Sequence, residues 1–399
     1  MQDTPRVAGR HFLQIPGPSP VPDRILHAIS MPTIDHRGPE FQRLGQKVLG
    51  GLQDVFRCSG PVVIYPASGT GAWEAALVNT LSPGDRVVMV ETGHFAALWA
   101  TMARNIGLEP ALIPTDWRRG AEAGAIEAVL REDRDQTIRA VCVVHNETST
   151  GCVTDIPAVR RAIDAAGHPA LLMVDTISSL GSIDYRHDEW GVDVSIGGSQ
   201  KGLMLPPGLS FNALSRKAIA ANEAAGMSRS FWSWKDMAGP NSKGFFPYTP
   251  STNLLFGLSE ALDMLAEEGR ERVFARHARH ATAVRAAVRT WGLEIICQEV
   301  EDYSGTLTGI LMPEGHDADA FRARTLAGFD LSLGTGLGKF AGKAFRIGHL
   351  GDTNDLTVVA TLAGVEMGLH LAGVPHRPGG VREAMEYLAD TAKDAGGQA

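Results

Sequence analysis

Three groups of residues have types and spacing that could bind and use an organic phosphate. Ser68-Gly-Thr-Gly71 lies between an apolar run and a helical stretch, so its N–H groups and hydroxyls would face an anion at a helix N-terminus. Asp175 ends an apolar run, where a carboxylate needs a cation or a donor. Lys201 follows the next apolar run. Each feature alone also has an ordinary explanation: a helix cap, a turn cap and an exposed lysine.

Together these features predict a single site that suits pyridoxal phosphate. The cofactor has a phosphate, a pyridine nitrogen and an aldehyde that an amine attacks. Asp175 would keep the ring nitrogen protonated. Lys201 would bind the aldehyde and, once the substrate displaces it, move the proton from the substrate Cα.

The elements that must position these residues follow an alternation of short β-branched runs and helical stretches. Runs that are apolar on both faces indicate central parallel strands covered by helices, and ligands bind at the carboxyl ends of such strands. The sequence therefore predicts an α/β fold. The predicted strands are Val62–Tyr65, Arg86–Val90, Arg139–His145, Leu171–Asp175 and Val192–Ile196.

A second α/β region is predicted after a long helical pattern that runs from about Leu254 to Trp291. It contains apolar runs at Thr306–Met312 and Phe345–Gly348 and then a helix to Leu371. A chain of 399 residues exceeds the size of one core, so two domains are expected. The predicted divisions are an N-terminal arm at 1–24, a large cofactor-binding domain at 25–270, a small domain at 271–388 and a flexible tail at 389–399.

Charge and hydropathy exclude several classes of partner. The formal net charge is −8 and there is no long basic run, which argues against nucleic acid or anionic lipid and favours small molecules. No apolar run approaches the length of a membrane span, and the N-terminus lacks the apolar core of a signal peptide. A cytoplasmic enzyme is expected.

No metal site is predicted. The four cysteines are widely spaced and form no CxxC, which indicates neither a zinc knuckle nor a disulfide framework. His277 and His280 lie three residues apart, and we interpret them as part of a solvated helix face.

Several motifs resemble class V aminotransferases of fold type I, and within them the serine–glyoxylate subgroup. The resemblance extends from about Phe12 to Ala372. It implies a mostly parallel seven-stranded sheet, a smaller C-terminal α/β domain and a homodimer with shared active sites. The motifs are Ser68–Gly71, His145–Gly151, Val174–Asp175, Gly198–Lys201 and Arg346–Gly351, joined by Pro16–Pro18, Asp35–Arg37, Asp188–Asp193 and Tyr248–Ser251.

The resemblance also implies a role for each cofactor-binding residue. Lys201 forms the Schiff base with pyridoxal phosphate, and Asp175 meets the pyridinium nitrogen. Phe95 stacks on the ring, with plain core packing as the alternative, and Thr148 lies near the phenolic oxygen. The residues implied to bind the phosphate are Ser68, Gly69, Thr70 and Gln200, with Tyr248 and Thr249 from the partner subunit.

Substrate recognition is implied for a smaller set. Arg346 matches a carboxylate with its guanidinium fork, and Pro16 and Gly17 line the pocket with backbone. His36 and Arg37 resemble an entrance segment donated by the other subunit. Some relatives have Tyr in place of His36, so the side chain that the pocket selects stays open.

The activity that the resemblance implies is ping-pong transamination, in which serine becomes hydroxypyruvate and glyoxylate becomes glycine. Aspartate, alanine or ureidoglycine are the alternative amino donors. From other classes, a cysteine desulfurase would need a mobile catalytic cysteine, and none of the four lies in the expected loop context. A non-enzymatic binding protein of the same fold would keep its function without Lys201.

Overall fold

The computed structural model describes residues 8–396 of the chain. Helices and strands alternate along it, and the strands form two main sheets. The helices are α1 Asp23–Ile29, α2 Pro39–Phe56, α3 Gly69–Thr80, α4 His94–Asn105, α5 Ala123–Glu132, α6 Ile156–Ala165, α7 Arg216–Ala224, α8 Trp234–Asn241, α9 Thr252–Glu268, α10 Arg270–Trp291, α11 Ala318–Phe329, α12 Asp355–Leu371 and α13 Gly380–Gly396. The strands are β1 Phe12–Gln14, β2 Val62–Tyr65, β3 Arg86–Glu91, β4 Glu109–Pro114, β5 Ile138–Val144, β6 Asn146–Glu147, β7 Cys152–Val153, β8 Leu171–Asp175, β9 Val194–Gly198, β10 Ser210–Leu214, β11 Glu294–Ile295, β12 Leu307–Leu311, β13 Leu331–Thr335 and β14 Ala344–Gly348.

The larger sheet has seven strands in the order β2-β10-β9-β8-β5-β3-β4. Only β10 runs antiparallel to its neighbours, so the predicted mostly parallel seven-stranded sheet is confirmed. In the register, Asp175 at the end of β8 pairs with Val144 and Ile196. The carboxyl ends of β5, β8 and β9 therefore meet at one edge of the sheet.

Helices cover both faces of this sheet, as the continuous apolar strands require. One apolar cluster joins the sheet to α2, α5, α6 and α9. A second cluster joins the opposite face to α3, α4, α7 and α8. The sheet is therefore buried except at the strand ends, where polar side chains can meet a ligand.

The smaller sheet has five strands in the order β1-β13-β14-β12-β11. Its core packs against α10–α13. Strand β1 comes from the N-terminal arm and pairs in parallel with β13, from Phe12↔Leu331 to Gln14↔Leu333. Residues 15–19 must consequently cross from the small sheet to the edge of the large one.

The predicted helical pattern from Leu254 to Trp291 forms two helices. α9 ends at Glu268 and α10 begins at Arg270, because Gly269 between them has a φ of +82°. At the other end, α13 continues through residues 389–396, where the sequence predicts a flexible tail. Residues 397–399 of that tail and 1–7 of the arm lie outside the described residues.

The solvated helix face predicted for His277 and His280 is wrong, because both side chains are buried on α10. His277 Nδ1 bonds the Val273 carbonyl at 2.7 Å, and its Nε2 accepts from Gly351 N at 3.2 Å. His280 Nε2 lies 3.0 Å from Asp355 Oδ1. Burial lowers the pKa of both imidazoles. The two side chains pack in the interior and hydrogen-bond the loop after β14 and the start of α12.

Among residues 8–396, no helix combines the length and the apolar character that crossing a membrane needs.

Candidate active site

Lys201 lies three residues beyond the end of β9, at the carboxyl edge of the large sheet. The residue is only 8% exposed, and Nζ donates to the Pro16 carbonyl at 2.6 Å. The Lys201 carbonyl accepts from Ser19 Oγ at 2.9 Å. The N-terminal segment between β1 and α1 therefore covers the lysine, and it contains Pro16 and Gly17, which the resemblance implies line the substrate pocket.

Gly17 makes this close approach possible. Its φ is +133°, and an added Cβ would lie 2.2 Å from Lys201 Nζ. Any larger residue would both strain the backbone and displace the amine.

The Lys201 amine is easier to deprotonate than a lysine in water. Burial, and then the positive charge of Arg346, lower its pKa to about 7 from 10.5, although Asp175 and Glu147 act in the opposite direction. A neutral amine is the form that attacks a carbonyl or takes up a proton.

Asp175 ends β8, and the residue is 4% exposed. Its Oδ1 accepts from Ile177 N at 2.7 Å and its Oδ2 from Trp73 Nε1 at 2.9 Å. Burial raises the pKa of this carboxyl to about 7, while the two donors favour the anion. A carboxylate has about four lone-pair sites, so Asp175 keeps capacity for one more donor.

Trp73 is a site residue that the sequence analysis missed. It lies on α3, one turn after the Ser68–Gly71 motif, and stacks on Trp99 with ring centroids 5.8 Å apart. From sequence, a tryptophan within a helix is ordinarily interpreted as a core residue. Only the fold shows that the Trp73 indole N–H donates to Asp175. Trp73 thereby links Asp175 to the predicted phosphate site.

Arg346 lies in the middle of β14, and the residue is 7% exposed. Its Nε donates to the Thr335 carbonyl and its Nη1 to the Thr148 carbonyl, each at 2.7 Å. Burial lowers the pKa of the guanidinium to about 10, so it stays charged at neutral pH. Gly334 lies between Arg346 and Pro16, and a Cβ there would be 2.6 Å from Pro16 Cδ.

Glu147 is a second residue that the sequence analysis missed, although it lies within the His145–Gly151 motif. It is fully buried. Its carboxylate accepts from Ser149 Oγ at 2.7 Å and from Ala96 N at 3.1 Å, at the N-terminus of α4. Its negative charge favours the charged forms of Lys201 and Arg346. Glu147 therefore balances two buried cations.

The Ser68–Gly71 motif forms the N-terminus of α3, with Ser68 as the residue before the first helical turn. The side chains of Ser68 and Thr70 are exposed, whereas Gly69 is buried. A Cβ on Gly69 would lie 2.1 Å from Ile177 Cδ1, two residues after Asp175. The motif thus packs directly beside the Asp175 loop, and the free N–H groups of a helix start favour an anion.

Gln200 extends the same surface. Its Oε1 is buried without a hydrogen-bond partner in the described residues, and it would lie 3.1 Å from a Cβ on Gly198. A buried amide oxygen that lacks a partner indicates a hydrogen-bond donor beside it, such as an ordered water.

The donor set fits pyridoxal phosphate. An anion site at a helix start, a carboxylate with spare acceptor capacity and a buried amine lie around the ends of β8 and β9. They match the phosphate, the ring nitrogen and the aldehyde of that cofactor.

The fold places two other predicted cofactor residues near this edge. Thr148 is buried, and its hydroxyl hydrogen-bonds that of Ser178. Phe95 lies in the first turn of α4, half-buried, with its N–H 3.4 Å from Glu147 Oε1.

Four predicted residues form no hydrogen bond, within residues 8–396, to Lys201, Asp175 or Arg346, which we call the Lys201 cluster. His36 and Arg37 lie in the loop between α1 and α2, where the Arg37 N–H donates to Asp35 Oδ1 at 2.9 Å. Tyr248 packs against Phe231 and its hydroxyl donates to the Ile64 carbonyl of the same chain. Thr249 is exposed.

Comparisons with known proteins agree with this geometry. The family described as "Aminotransferase class-V" matches residues 26–324. The serine–glyoxylate aminotransferase of Methylorubrum extorquens is 46% identical over 96% of this chain and 98% of its own. The L-aspartate–glyoxylate aminotransferase of Paracoccus denitrificans is 45% identical over 94% of this chain and 96% of its own.

A solved structure extends the likeness to three dimensions. The pyridoxamine–pyruvate aminotransferase of Mesorhizobium loti is 28% identical, has a TM-score of 0.90 and covers 97% of this chain and 99% of its own. The chain therefore belongs to the class V aminotransferases, enzymes that move amino groups between small amino acids and oxo acids with pyridoxal phosphate as cofactor.

Proposed function

We propose that this enzyme transfers the amino group of L-serine to glyoxylate, giving hydroxypyruvate and glycine. The observation that carries the proposal is the 46% identity, over nearly the whole of both chains, to a relative named for this reaction. The buried Lys201 and Asp175 at the carboxyl edge of the large sheet, together with the buried Arg346 on β14 of the small sheet, supply the groups that such a transfer needs.

Lys201 and Asp175 carry the chemistry in this proposal. When bound, pyridoxal phosphate supplies an aldehyde that takes up the amino group and a ring that withdraws electrons from the substrate Cα. Lys201, with its pKa lowered to about 7, would move the proton from the substrate Cα to the cofactor carbon that receives the nitrogen, and would move a proton in the opposite direction in the second half of the reaction. The Asp175 carboxylate would hold a proton on the ring nitrogen, and the N–H groups of Trp73 and Ile177 keep that carboxylate oriented.

The cofactor is held at its other end by the N-terminus of α3. The N–H groups of Gly69 and Thr70, the hydroxyls of Ser68 and Thr70 and the side-chain NH2 group of Gln200 would bind the phosphate. Phe95 would stack on the ring, and Thr148 would donate near the phenolic oxygen.

Arg346 binds the carboxylate that serine and glyoxylate share. Two of its five N–H groups are engaged by the carbonyls of Thr335 and Thr148, which fix the plane of the guanidinium. The Nη2 group and one N–H of Nη1 remain for a carboxylate. Pro16 and Gly17 form the adjacent wall, so the substrate Cα is held within reach of Lys201.

The active unit in this proposal is a cytoplasmic homodimer with shared sites. His36, Arg37, Tyr248 and Thr249 complete the site of the partner subunit, which accounts for their lack of hydrogen bonds to their own Lys201 cluster within residues 8–396. Arg37 is exposed in a single chain, and its guanidinium would meet the substrate across the interface.

Aspartate is the second candidate donor, favoured by the 45% identity to the Paracoccus denitrificans enzyme. A panel of serine, aspartate, alanine and (S)-ureidoglycine at a fixed glyoxylate concentration separates the candidates by kcat/KM. We expect the highest value for serine. A higher kcat/KM for aspartate than for serine would assign aspartate as the amino donor. Equal turnover by wild type and the Lys201→Ala blank would contradict transamination by this site.

A further inference from the structure

Three potential metal ligands meet away from the Lys201 site: Cys58, His187 and Asp188. One ligand atom from each residue lies within 4.8 Å of those from the other two. Cys58 and His187 are buried, whereas Asp188 is exposed. Cys58 is far from the other two in sequence, so only the fold creates the cluster.

The two chain segments that carry these residues are fixed to each other by hydrogen bonds. His187 N donates to the Phe56 carbonyl at 3.0 Å, and Asp188 N donates to the Arg57 carbonyl at 3.3 Å. Ser59 N donates to Asp188 Oδ2 at 2.8 Å. Backbone bonds on both sides of Cys58 therefore hold the three side chains in place, as a preorganised site requires.

The imidazole of His187 has one nitrogen engaged and one without a partner. Nδ1 lies 2.6 Å from Ser195 Oγ, which in turn lies 2.6 Å from Tyr185 Oη. Nε2 is buried and has no hydrogen-bond partner in the described residues. A buried polar atom without a partner is costly, and an imidazole oriented through Nδ1 with Nε2 left over is the arrangement found in metal-binding histidines.

The surroundings favour a cation. Cys58 lies just beyond the C-terminus of the 18-residue helix α2, where the helix dipole is negative, and Asp188 adds a full charge. The Cys58 thiol makes only long contacts, with the carbonyls of Gly60 at 3.7 Å and Leu214 at 3.8 Å. A bond from this sulfur to a metal would therefore replace only weak hydrogen bonds.

We propose that Cys58 Sγ, His187 Nε2 and the Asp188 carboxylate bind one divalent metal ion of the zinc class. Thiolate and imidazole ligands select zinc over magnesium or calcium. Cys58 releases its proton to solvent on binding. Water completes the coordination through the adjoining cavity of about 450 Å³, which Asp188 and Ser59 line.

The bound ion would tie the end of α2 to the segment that leads into β9, the strand that precedes Lys201. The site is thus structural and lies outside the catalytic residues. Its presence can be measured without reference to turnover.

Zinc stoichiometry tests the site directly. The full-length, cofactor-loaded protein, with any affinity tag removed, is stripped with a chelator, equilibrated with zinc, dialysed and analysed by mass spectrometry. We expect about one zinc per chain in wild type, and the same in Cys142→Ala, which removes a buried thiol elsewhere. Cys58→Ala should retain none. Absence of zinc from wild type, or equal retention by Cys58→Ala, would overturn the proposal.

Two further measurements cover the case in which Cys58→Ala does not fold. Asp188→Asn keeps an acceptor for Ser59 N at an exposed position, and its zinc Kd should rise by about tenfold or more. Cobalt substituted into wild type should show a thiolate-to-cobalt charge-transfer band. An unchanged Kd in Asp188→Asn, or cobalt binding without that band, would contradict the three-ligand site.

Discussion

At the residue scale, Trp73 Nε1 donates to Asp175 Oδ2, and in the proposed function this bond helps to keep Asp175 anionic beside the ring nitrogen. Trp73→Phe removes the donor but keeps an aromatic ring. A hydrogen bond to a charged group contributes roughly 1.5–3 kcal/mol. Its loss should raise the Asp175 pKa further above about 7 and leave the ring nitrogen less protonated. We expect kcat/KM to fall by about tenfold or more.

Trp99→Phe is the matched control for this change. Trp99 stacks on Trp73, and its Nε1 has no hydrogen-bond partner in residues 8–396. Activity of this variant should stay near that of wild type. Equal losses in the two variants would mean that ring packing, and not the bond to Asp175, accounts for the effect.

The lowered pKa of Lys201 predicts how fast the apo-protein captures pyridoxal phosphate at different pH values. Only the neutral amine reacts, so the rate should rise through pH about 7 and then level off. Arg346→Gln removes a positive charge that lowers this pKa, and should move the midpoint upward. Stopped-flow absorbance after mixing apo-protein with cofactor measures both profiles.

Arg324→Gln, at an exposed arginine, should leave the midpoint where it is in wild type. A wild-type midpoint near the ordinary lysine value of 10.5 would contradict the assigned environment of Lys201.

Residue types and spacing predicted Lys201 and Asp175, because they place two opposite charges at the ends of neighbouring strands, whereas Arg346 was implied only by the family resemblance. The same reasoning could not find Glu147 or Trp73. Glu147 is buried because the N-terminus of α4 supplies its donors, and that helix starts more than fifty residues earlier in the chain. Partners of this kind follow from the tertiary structure.

At the scale of elements, the segment between β1 and α1 acts as a cover over Lys201. It is anchored by the pairing of β1 with β13 and by Ser19 Oγ, which donates to the Lys201 carbonyl. Gly17→Ala would place a Cβ 2.2 Å from Lys201 Nζ and force the segment or the lysine to move. A misplacement of about 1 Å at a reacting group can cost about a hundredfold in rate. We therefore expect a loss of about that size in kcat, together with weaker cofactor retention.

Gly107→Ala is a control that introduces backbone strain without the steric clash expected for Gly17→Ala. Gly107 has a similar positive φ of +90°, but an added Cβ would meet no atom within 4 Å. This variant should lose stability in a thermal melt while keeping its kcat. If both variants keep wild-type kcat, the segment does not position Lys201.

Strand limits show why elements are harder to predict than motifs. The strand expected at Val192–Ile196 runs two residues later, from Val194 to Gly198. Glycines are ordinarily turn signals, but Gly197 sits in the sheet because a Cβ there would be 2.9 Å from Phe56 and 2.8 Å from Leu180. Phe56 ends α2 and Leu180 lies in the loop between β8 and β9, so the need for this glycine follows from tertiary packing.

At the scale of the whole molecule, the central question is which chain supplies each part of the site. Lys201, Asp175 and Arg346 meet within one chain, whereas Arg37 forms no hydrogen bond to them within residues 8–396. The sequence could suggest sharing only through family resemblance, because an exposed arginine in a loop has no partner that periodicity or spacing reveals.

Subunit mixing tests the shared site. In the proposed homodimer, Lys201→Ala and Arg37→Ala should each be inactive or at least about tenfold impaired, since the proposal gives Arg37 a charged contact with the substrate. If Arg37 acts across the interface, a mixed dimer has one site with both defects and one intact site. Unfolding and refolding equal amounts of the two variants together should therefore restore about a quarter of wild-type activity, because half of the random dimers are mixed. If Arg37 acts within its own chain, every site in every dimer keeps one defect, and the mixture should show no gain over the average of the two homodimers.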